Sequence, residues 1–176
     1  MEHDQVAADG TIYDNGYGIM LVPRGYYTTA AWNSSGTVQG GYIASTMHTS
    51  TLPTVVNNLK RVLSNHIVNR NVLLSNSDNE HCSNSYIWTK SDATLMSVGQ
   101  MTGTFGTYSN KYDDGEANYK LPIFNFKEYK IGSIFWLRGV SCGNTNLTWY
   151  IDEYGNIKSN KYVSASFGVR PLIYIR

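Results

Sequence analysis

Cysteine, proline and charge are scarce in this 176-residue sequence, and long hydrophobic runs are missing altogether. Only two cysteines are present, and a chain of this length can bury a core without a disulfide framework, so we expect free thiols at Cys82 and Cys142. No apolar run approaches the ~20 residues that span a bilayer, and the first residues lack the basic and apolar segments of a signal peptide. We therefore expect no membrane insertion.

The charged residues are few and nearly balanced. Asp, Glu, Lys and Arg make up 15% of the chain, and 14 basic against 13 acidic residues leave a net charge of +1. Such a charge creates no long-range field that would attract a polyanion. The phosphate-binding loop G-x-x-x-x-G-K-[ST] and the dinucleotide pattern G-x-G-x-x-G are also missing. We therefore expect no nucleic-acid or nucleotide partner, and any affinity must come from local contacts.

Tyrosine, glycine and asparagine are abundant, with 14, 16 and 17 copies. Tyr and Trp offer large ring surfaces at low conformational cost, while Asn, Ser and Gly add adaptable hydrogen bonding, which is the composition of recognition surfaces. A β-rich domain with many turns uses the same residue types. Composition favours these two interpretations equally.

One folded domain is expected over residues 19–176, after a flexible or linker-like segment at residues 1–18. The clearest helix follows Thr51, a candidate N-cap, because apolar residues then recur at steps of three and four. These residues are Leu52, Val55, Val56, Leu59, Val62 and Leu63. Pro53 falls in the first helical turn, where its missing N–H costs nothing.

Shorter elements are predicted by local signals. Ser97 and Gln100 have the spacing of a capping box and predict a second helix of one or two turns. Residues 150–157 predict a hairpin in which Gly155 takes a positive φ. Apolar runs of strand length occur at residues 19–22, 72–74, 86–88, 93–96, 134–137, 147–151 and 172–175.

Catalytic and metal-binding patterns are incomplete. Residues 139–143 match the G-x-S-x-G nucleophile elbow around Ser141, but a polar segment and a strand follow instead of a helix, and no histidine comes after His81. The histidines show no paired-ligand spacing, and residues 113–116 lack the alternating acids of a calcium loop. We therefore expect no catalytic residues, no metal and no cofactor.

Several segments together resemble a known family. They are residues 40–49, Leu52-Pro53, Asn65-His66-Ile67, Leu121-Pro122-Ile123-Phe124, Phe135-Trp136-Leu137-Arg138-Gly139-Val140, Tyr154-Gly155-Asn156 and Phe167-Gly168-Val169-Arg170-Pro171. In this order the W-L-R strand, the Y-G-N hairpin and the terminal G-V-R-P are similar to a domain of unknown function that is widespread in Firmicutes and in their phages and prophages. That domain often stands at the C-terminus of tail or other virion proteins. The late pattern also resembles, more distantly, the C-type-lectin-like fold of formylglycine-generating enzymes and of retroelement-diversified receptor-binding proteins.

The resemblance implies an α+β domain of C-type-lectin-like fold, with a twisted antiparallel sheet, one clear helix and a shorter second helix. The chemistry of that superfamily does not carry over. The copper-binding cysteine pair of the formylglycine generators cannot be assigned to Cys82 and Cys142, and the sugar-binding E-P-N, Q-P-D and W-N-D patterns are missing. If Arg138 and Arg170 are buried in such a frame, they need carboxylate or carbonyl partners.

The resemblance also implies a non-enzymatic role in a phage or prophage virion, as a tail-associated module that recognises a host surface component such as a cell-wall glycan. Its partners would be a bacterial surface glycan or protein and other virion proteins, and self-association into a homo-oligomer is left open. The location would be the phage tail or capsid surface, or the bacterial cell surface if the chain is not phage-encoded. Two other functions stay open: a purely architectural module that oligomerises or decorates the virion, and an enzyme related to the formylglycine generators.

The predicted contact surface lies within residues 141–166. Its members are Asn144, Asn146, Trp149, Tyr150 and Tyr162. Aromatic faces would stack on sugar rings there, and asparagine side chains would bond to hydroxyls. In the alternative interpretation, Trp149 and Tyr150 belong to the core and the asparagines only form turns.

Overall fold

A computed structural model describes residues 19–76, 86–103, 120–141 and 143–176. In these ranges the chain is a mixed α/β domain with one main helix, short helices and mostly antiparallel sheets, which confirms the predicted α+β class. The strands are β1 (Ile19–Leu21), β2 (Thr28–Ala31), β3 (Arg70–Ser75), β4 (Tyr86–Ser91), β5 (Ala93–Leu95), β6 (Phe135–Val140), β7 (Leu147–Ile151), β8 (Ile157–Tyr162), β9 (Ser166–Val169) and β10 (Pro171–Ile175). The helices are α1 (Gly41–Ala44), α2 (Leu52–Leu63) and α3 (Val98–Thr102), with a π-helical turn at Met47–Thr51 and 3-10 turns at Ser64–His66, Pro122–Asn125 and Lys127–Tyr129.

The described strands form three hydrogen-bonded sheets. β1, β10 and β5 make a three-stranded sheet in that order, β2, β9, β6, β7 and β8 make a five-stranded sheet, and β3 pairs with β4. The pairs are antiparallel except β6 with β9, in which Phe135 lies opposite Gly168 in a parallel arrangement. The antiparallel strands are thus divided among several sheets. The C-type-lectin-like fold stays a prediction from the sequence.

Helix α2 forms where the apolar stripe predicted it, with two corrections. Leu52, Val55 and Val56 are buried. The sequence predicts Val62 on the buried stripe, but 82% of its surface is exposed, because it lies at the edge of the stripe in the last turn. Thr51 does not cap the helix, since its own backbone is helical and the turn Met47–Thr51 runs directly into Leu52.

The helical run that includes α2 begins after Ser45. The Ser45 hydroxyl donates to the Tyr42 carbonyl at 2.6 Å and accepts the His48 N–H at 3.2 Å. The Ser45 carbonyl accepts the Thr49 N–H at 3.0 Å. These bonds satisfy N–H groups that a helix start leaves unpaired. They also fix His48 in the turn that precedes α2.

Two local predictions are confirmed. Ser97 Oγ accepts the Gln100 N–H and Gln100 Oε1 accepts the Ser97 N–H, both at 2.9 Å, so a capping box opens α3. Strands β7 and β8 form the predicted hairpin, and Gly155 has a φ of 84° in its turn. Both features depend on residues only a few positions apart.

The main core surrounds β6, which is buried along its whole length. The Trp32 indole donates to the Leu137 carbonyl at 3.0 Å, and the Trp136 indole donates to the Ala30 carbonyl at 2.9 Å, so two buried tryptophans join β6 to β2 and the segment after it. A smaller apolar cluster lies beneath α2. It contains Val56, Ile67, Ala93 and Ile173. No described helix combines the length and the hydropathy needed to cross a membrane.

Candidate functional site

The open end of the β7–β8 hairpin brings three of the predicted contact residues together. Tyr162 lies opposite Leu147 in the ladder, and the Asn146 carbonyl accepts the Val163 N–H at 2.9 Å, which places Asn146 beside the end of β8. Tyr162 is 62% exposed. Asn144 lies in the turn before β7, where its side-chain amide contacts the Ser141 hydroxyl at 3.4 Å. We call Asn144, Asn146 and Tyr162 the hairpin-end surface.

The loop after β2 closes this end of the hairpin. The Val38 N–H donates to the Thr145 carbonyl at 2.9 Å, and the Asn33 N–H donates to the Val163 carbonyl at 3.0 Å. Asn33 is itself fixed, because its side chain donates to the Thr37 carbonyl at 2.7 Å and accepts the Thr46 hydroxyl at 2.8 Å. The hairpin-end surface therefore stands on a backbone with little freedom to rearrange.

Trp149 and Tyr150 occupy a different place. Each is only 5% exposed and belongs to the main core. The Trp149 indole donates to the Val140 carbonyl at 3.2 Å. The Tyr150 ring packs at 5.2 Å from the Phe167 ring, centroid to centroid, and its hydroxyl donates to Asn160 Oδ1 at 2.7 Å. Their ring faces are covered by protein, so the packing interpretation fits these two residues and stacking on a sugar does not.

The Y-G-N triplet has a clear structural role at the closed end of the hairpin. Asp152 Oδ1 accepts the Tyr154 N–H at 3.0 Å and the Asn156 N–H at 2.8 Å, and Oδ2 accepts the Asn156 side-chain amide at 3.2 Å. Desolvation raises the pKa of Asp152, but the hydrogen bonds from Asn156 and Tyr154 outweigh it and hold the pKa below its ordinary value. The ionised carboxylate thus organises the turn.

A cleft between α2 and the β4–β5 corner is a site that the sequence did not reveal. Its volume is about 250 Å³. It is lined by His48, Leu52, Pro53, Val56, Asn57, Asn69, Lys90, Ser91, Asp92 and Ala93. We call it the α2–β5 cleft. Its polar residues come from separate parts of the chain at irregular spacing, so no local sequence pattern indicated it.

Asp92 is the best-connected polar group of the cleft. Its Oδ2 lies 2.7 Å from Lys60 Nζ, and its Oδ1 accepts the Asn69 side-chain amide at 2.9 Å. This ion pair is partly open to solvent, so its net contribution to stability is small, about 0–1 kcal/mol. The ion pair instead fixes the wall of the cleft, because it joins Lys60 of α2 to Asp92, the residue between β4 and β5.

His48 lines the cleft and is uncharged. Burial lowers the pKa of His48, so the imidazole is neutral at neutral pH. Its ring packs against the Tyr42 ring with centroids 5.2 Å apart. Within the described residues, Nδ1 of His48 has no hydrogen-bond partner. The neutral ring can offer one donor and one acceptor to a neighbouring group.

Several sequence-based predictions lie outside the described residues. They concern residues 1–18, Cys82, Cys142, the acidic segment 113–116 and the elbow position that Cys142 occupies. Among the residues that are described, no three His, Cys, Asp or Glu side chains converge as metal ligands would. The segment after Ser141 turns into β7 without an intervening helix in its described part, residues 143–151.

Comparison with known families gives one match. A family model described as a domain of unknown function, DUF6273, covers residues 18–176. The chain belongs to this family. No curated protein and no solved structure matches the chain. The DUF6273 match includes every described residue, so the hairpin-end surface and the α2–β5 cleft both lie within the family domain.

A buried arginine joins three distant segments of the DUF6273 domain. Arg170 stands between β9 and β10 and is 1% exposed. Its Nε donates to the Pro23 carbonyl at 2.7 Å, and another guanidinium nitrogen donates to the Tyr129 carbonyl. The guanidinium carbon also lies 5.3 Å from the Phe124 ring centroid and 5.1 Å from that of Phe135. The carbonyl partners that the sequence required for a buried Arg170 are thus present.

Proposed function

We propose that this DUF6273 domain is a non-enzymatic recognition module of a phage or prophage virion, associated with the tail, that binds a glycan on the bacterial surface. The observation that carries the proposal is the hairpin-end surface, where an exposed tyrosine and two asparagines stand together on a fixed backbone. The virion context is supported by the resemblance of the late sequence motifs to tail-associated domains.

The chemistry of the three side chains suits a sugar. The exposed Tyr162 ring offers an apolar face to the C–H face of a pyranose, and its hydroxyl stays at the rim. The amides of Asn144 and Asn146 each carry a donor and an acceptor, which match the mixed character of sugar hydroxyls. Side-chain amides do not ionise near neutral pH, so this surface suits binding better than acid–base catalysis.

The fixed backbone adds to the affinity that such a small surface can reach. Binding must offset the entropy lost when side chains and loops become ordered, at about 0.5–1.5 kcal/mol for each immobilised side chain. Here the loop after β2 and the turn before β7 are already bonded to each other and to Val163. The Asn144 side chain already contacts the Ser141 hydroxyl, so the side chains that remain to be ordered when a ligand binds are those of Asn146 and Tyr162.

The test is a binding assay with wall fragments from Firmicutes and a panel of glycans. We expect the purified domain to bind at least one of them, and Tyr162→Ala to weaken that binding by about tenfold, the equivalent of ~1.4 kcal/mol. Tyr162→Phe keeps the ring and should retain most of the affinity. The matched control is Tyr27→Ala, because Tyr27 is also exposed but precedes β2, the strand at the other edge of the sheet from β8.

Binding to no wall fragment and no glycan would contradict the proposal. Equal losses from Tyr162→Ala and Tyr27→Ala would leave the hairpin-end surface without a special role. In that case binding would have to occur elsewhere on the domain.

A second candidate function, architectural self-assembly, is favoured by a separate observation. Exposed apolar side chains gather beside the closed end of the hairpin, where the Gly132 N–H donates to the Glu153 carbonyl at 2.8 Å. They are Ile131 and Tyr154. We call them the hairpin-turn patch. Exposed apolar patches with polar rims often mark protein interfaces, so this patch would suit contact with another virion subunit or a second copy of the domain.

A further inference from the structure

The α2–β5 cleft is a concave site that the proposed function does not use. It lies beside the three-stranded sheet, whereas the hairpin-end surface belongs to the five-stranded sheet. At about 250 Å³ it is slightly smaller than the ~300–1,000 Å³ of sites for drug-sized ligands. A single small ring is therefore the size of ligand that it accommodates.

The floor of the cleft is apolar. Leu52 and Val56 contribute from one face of α2, and Ala93 contributes from the start of β5, and all three are buried. Pro53 adds the flat side of its ring. A ligand with a C–H face can rest on this floor, and a fully hydrated simple ion gains nothing from it.

Amide side chains face the cleft from two different elements. Asn57 belongs to α2, and Asn69 belongs to the segment before β3, and both residues are exposed. Asn69 keeps its acceptor oxygen available while its nitrogen donates to Asp92. Together the two amides offer donors and acceptors that match the hydroxyl groups of a small ring.

The cleft carries an excess positive charge. Asp92 is paired with Lys60 at 2.7 Å, so these two charges offset each other. Lys90 is exposed, lines the cleft and has no ion-pair partner within the described part of the chain. His48 adds no charge, since burial lowers its pKa. A ligand with one anionic group would complete the charge balance at Lys90.

From these observations we propose that the α2–β5 cleft binds a single carboxylated sugar ring of the uronic acid class. The ring lies on the floor of Leu52, Val56 and Ala93, its carboxylate pairs with Lys90, and its hydroxyls bond to Asn57, Asn69 and His48. The site is independent of the hairpin-end surface because the two share no residue. A negative result for one site therefore leaves the proposal for the other unchanged.

The experiment is an NMR titration of the isotopically labelled full chain with four probes. D-glucuronate tests the free sugar, its methyl glycoside tests a sugar linked at the end of a glycan, D-glucose tests the neutral ring, and acetate tests a bare carboxylate. We expect saturable shifts from both uronates at amides of α2 and the β4–β5 corner. Glucose and acetate should bind at least tenfold more weakly.

The variant Lys90→Gln should weaken glucuronate binding by tenfold or more. Lys158→Gln is the matched control, because Lys158 is an exposed lysine in β8, an edge strand of the five-stranded sheet, and does not line the cleft. Asn57→Ala, on the exposed side of α2, supplies a second variant that removes no charge and should weaken binding about threefold. Neither lysine is buried, so both variants should fold.

Three results would overturn the proposal. They are the lack of any saturable shift with either uronate, an equal response to acetate, and unchanged affinity in Lys90→Gln. A response to free glucuronate but not to its methyl glycoside would assign the cleft to a free sugar acid and exclude a glycan end. The variant Tyr162→Ala should bind glucuronate normally, which separates this site from the hairpin-end surface.

Discussion

Arg170 shows how one residue can decide the arrangement of several segments. A buried guanidinium without a carboxylate partner loses its hydration, and desolvation lowers the pKa of Arg170 to about 10. The side chain still carries its charge at neutral pH. Two backbone carbonyls and the faces of two phenylalanines replace part of the lost water, and the fork of the guanidinium reaches both carbonyls at once, while Nη2 has no hydrogen-bond partner within the described residues.

A lysine cannot reproduce this geometry, because its ammonium is a compact point charge that reaches one carbonyl and leaves the other unpaired. We expect Arg170→Lys to lower the free energy of unfolding by about 2–3 kcal/mol, the cost of a buried unsatisfied carbonyl plus a weakened charged hydrogen bond. Urea denaturation followed by tryptophan fluorescence measures the change. Arg24→Lys, at an exposed arginine, is the matched control and should change stability by less than ~0.5 kcal/mol. Equal stability of the two variants would show that the contacts of Arg170 contribute little.

At the scale of the element, the end of α2 contains the only described non-glycine residue with a positive φ. Ser64 has a φ of 52° and a ψ of −130°, a region that side chains with a Cβ rarely occupy. The residue ends α2 and opens the 3-10 turn Ser64–His66, which leads the chain towards β3. Such backbone strain costs about 1–3 kcal/mol, and the packing of the surrounding elements must offset it.

Glycine adopts this conformation without the steric cost, although it loses more entropy on folding. We therefore expect Ser64→Gly to raise the free energy of unfolding by about 1 kcal/mol, as the net of these two terms. Ser64→Ala keeps the Cβ and serves as the control, with no gain in stability. Thermal and urea unfolding of both variants test this. A loss of stability in Ser64→Gly would mean that the strain at this residue is smaller than the entropy that glycine adds.

At the scale of the whole molecule, the two ends of the β7–β8 hairpin favour different functions. The hairpin-end surface is polar and aromatic and suits a glycan, whereas the hairpin-turn patch is apolar and suits another protein surface. The strand order of the five-stranded sheet places β8 at an edge, and exposed side chains lie at both ends of the hairpin, Tyr162 at one and Tyr154 at the other. One domain can therefore be attached by one end and bind by the other.

The architectural function predicts that the wild-type domain sediments as an oligomer whose size does not change with concentration and needs no ligand. Tyr154→Ser should then convert it to a monomer, because the exposed ring would become buried within the interface. Val62→Ser removes an apolar side chain from α2 that is even more exposed and should leave the oligomer intact. Sedimentation velocity over a range of concentrations measures all three. A wild-type domain that is monomeric throughout contradicts self-assembly through this patch.

Local features could be predicted from the sequence because their physical causes lie within a few residues. The 3.6-residue period predicted α2, the Ser97 and Gln100 spacing predicted the capping box of α3, and Gly155 marked the turn of the hairpin. In each case the hydrogen bonds or the apolar face involve near neighbours in the chain. The requirement for partners at a buried Arg170 also followed from charge alone.

Only the tertiary structure decided which faces are covered and which distant groups meet. Trp149 and Tyr150 have the residue types of a binding surface, but β6 and Phe167 of β9 bury them, and the sequence does not show which strands become neighbours in the sheet. The α2–β5 cleft likewise depends on the meeting of α2, the segment before β3 and the β4–β5 corner. Periodicity reports the conformation of one segment, whereas burial and cavities depend on contacts between segments that are far apart in the chain, and no local pattern encodes those contacts.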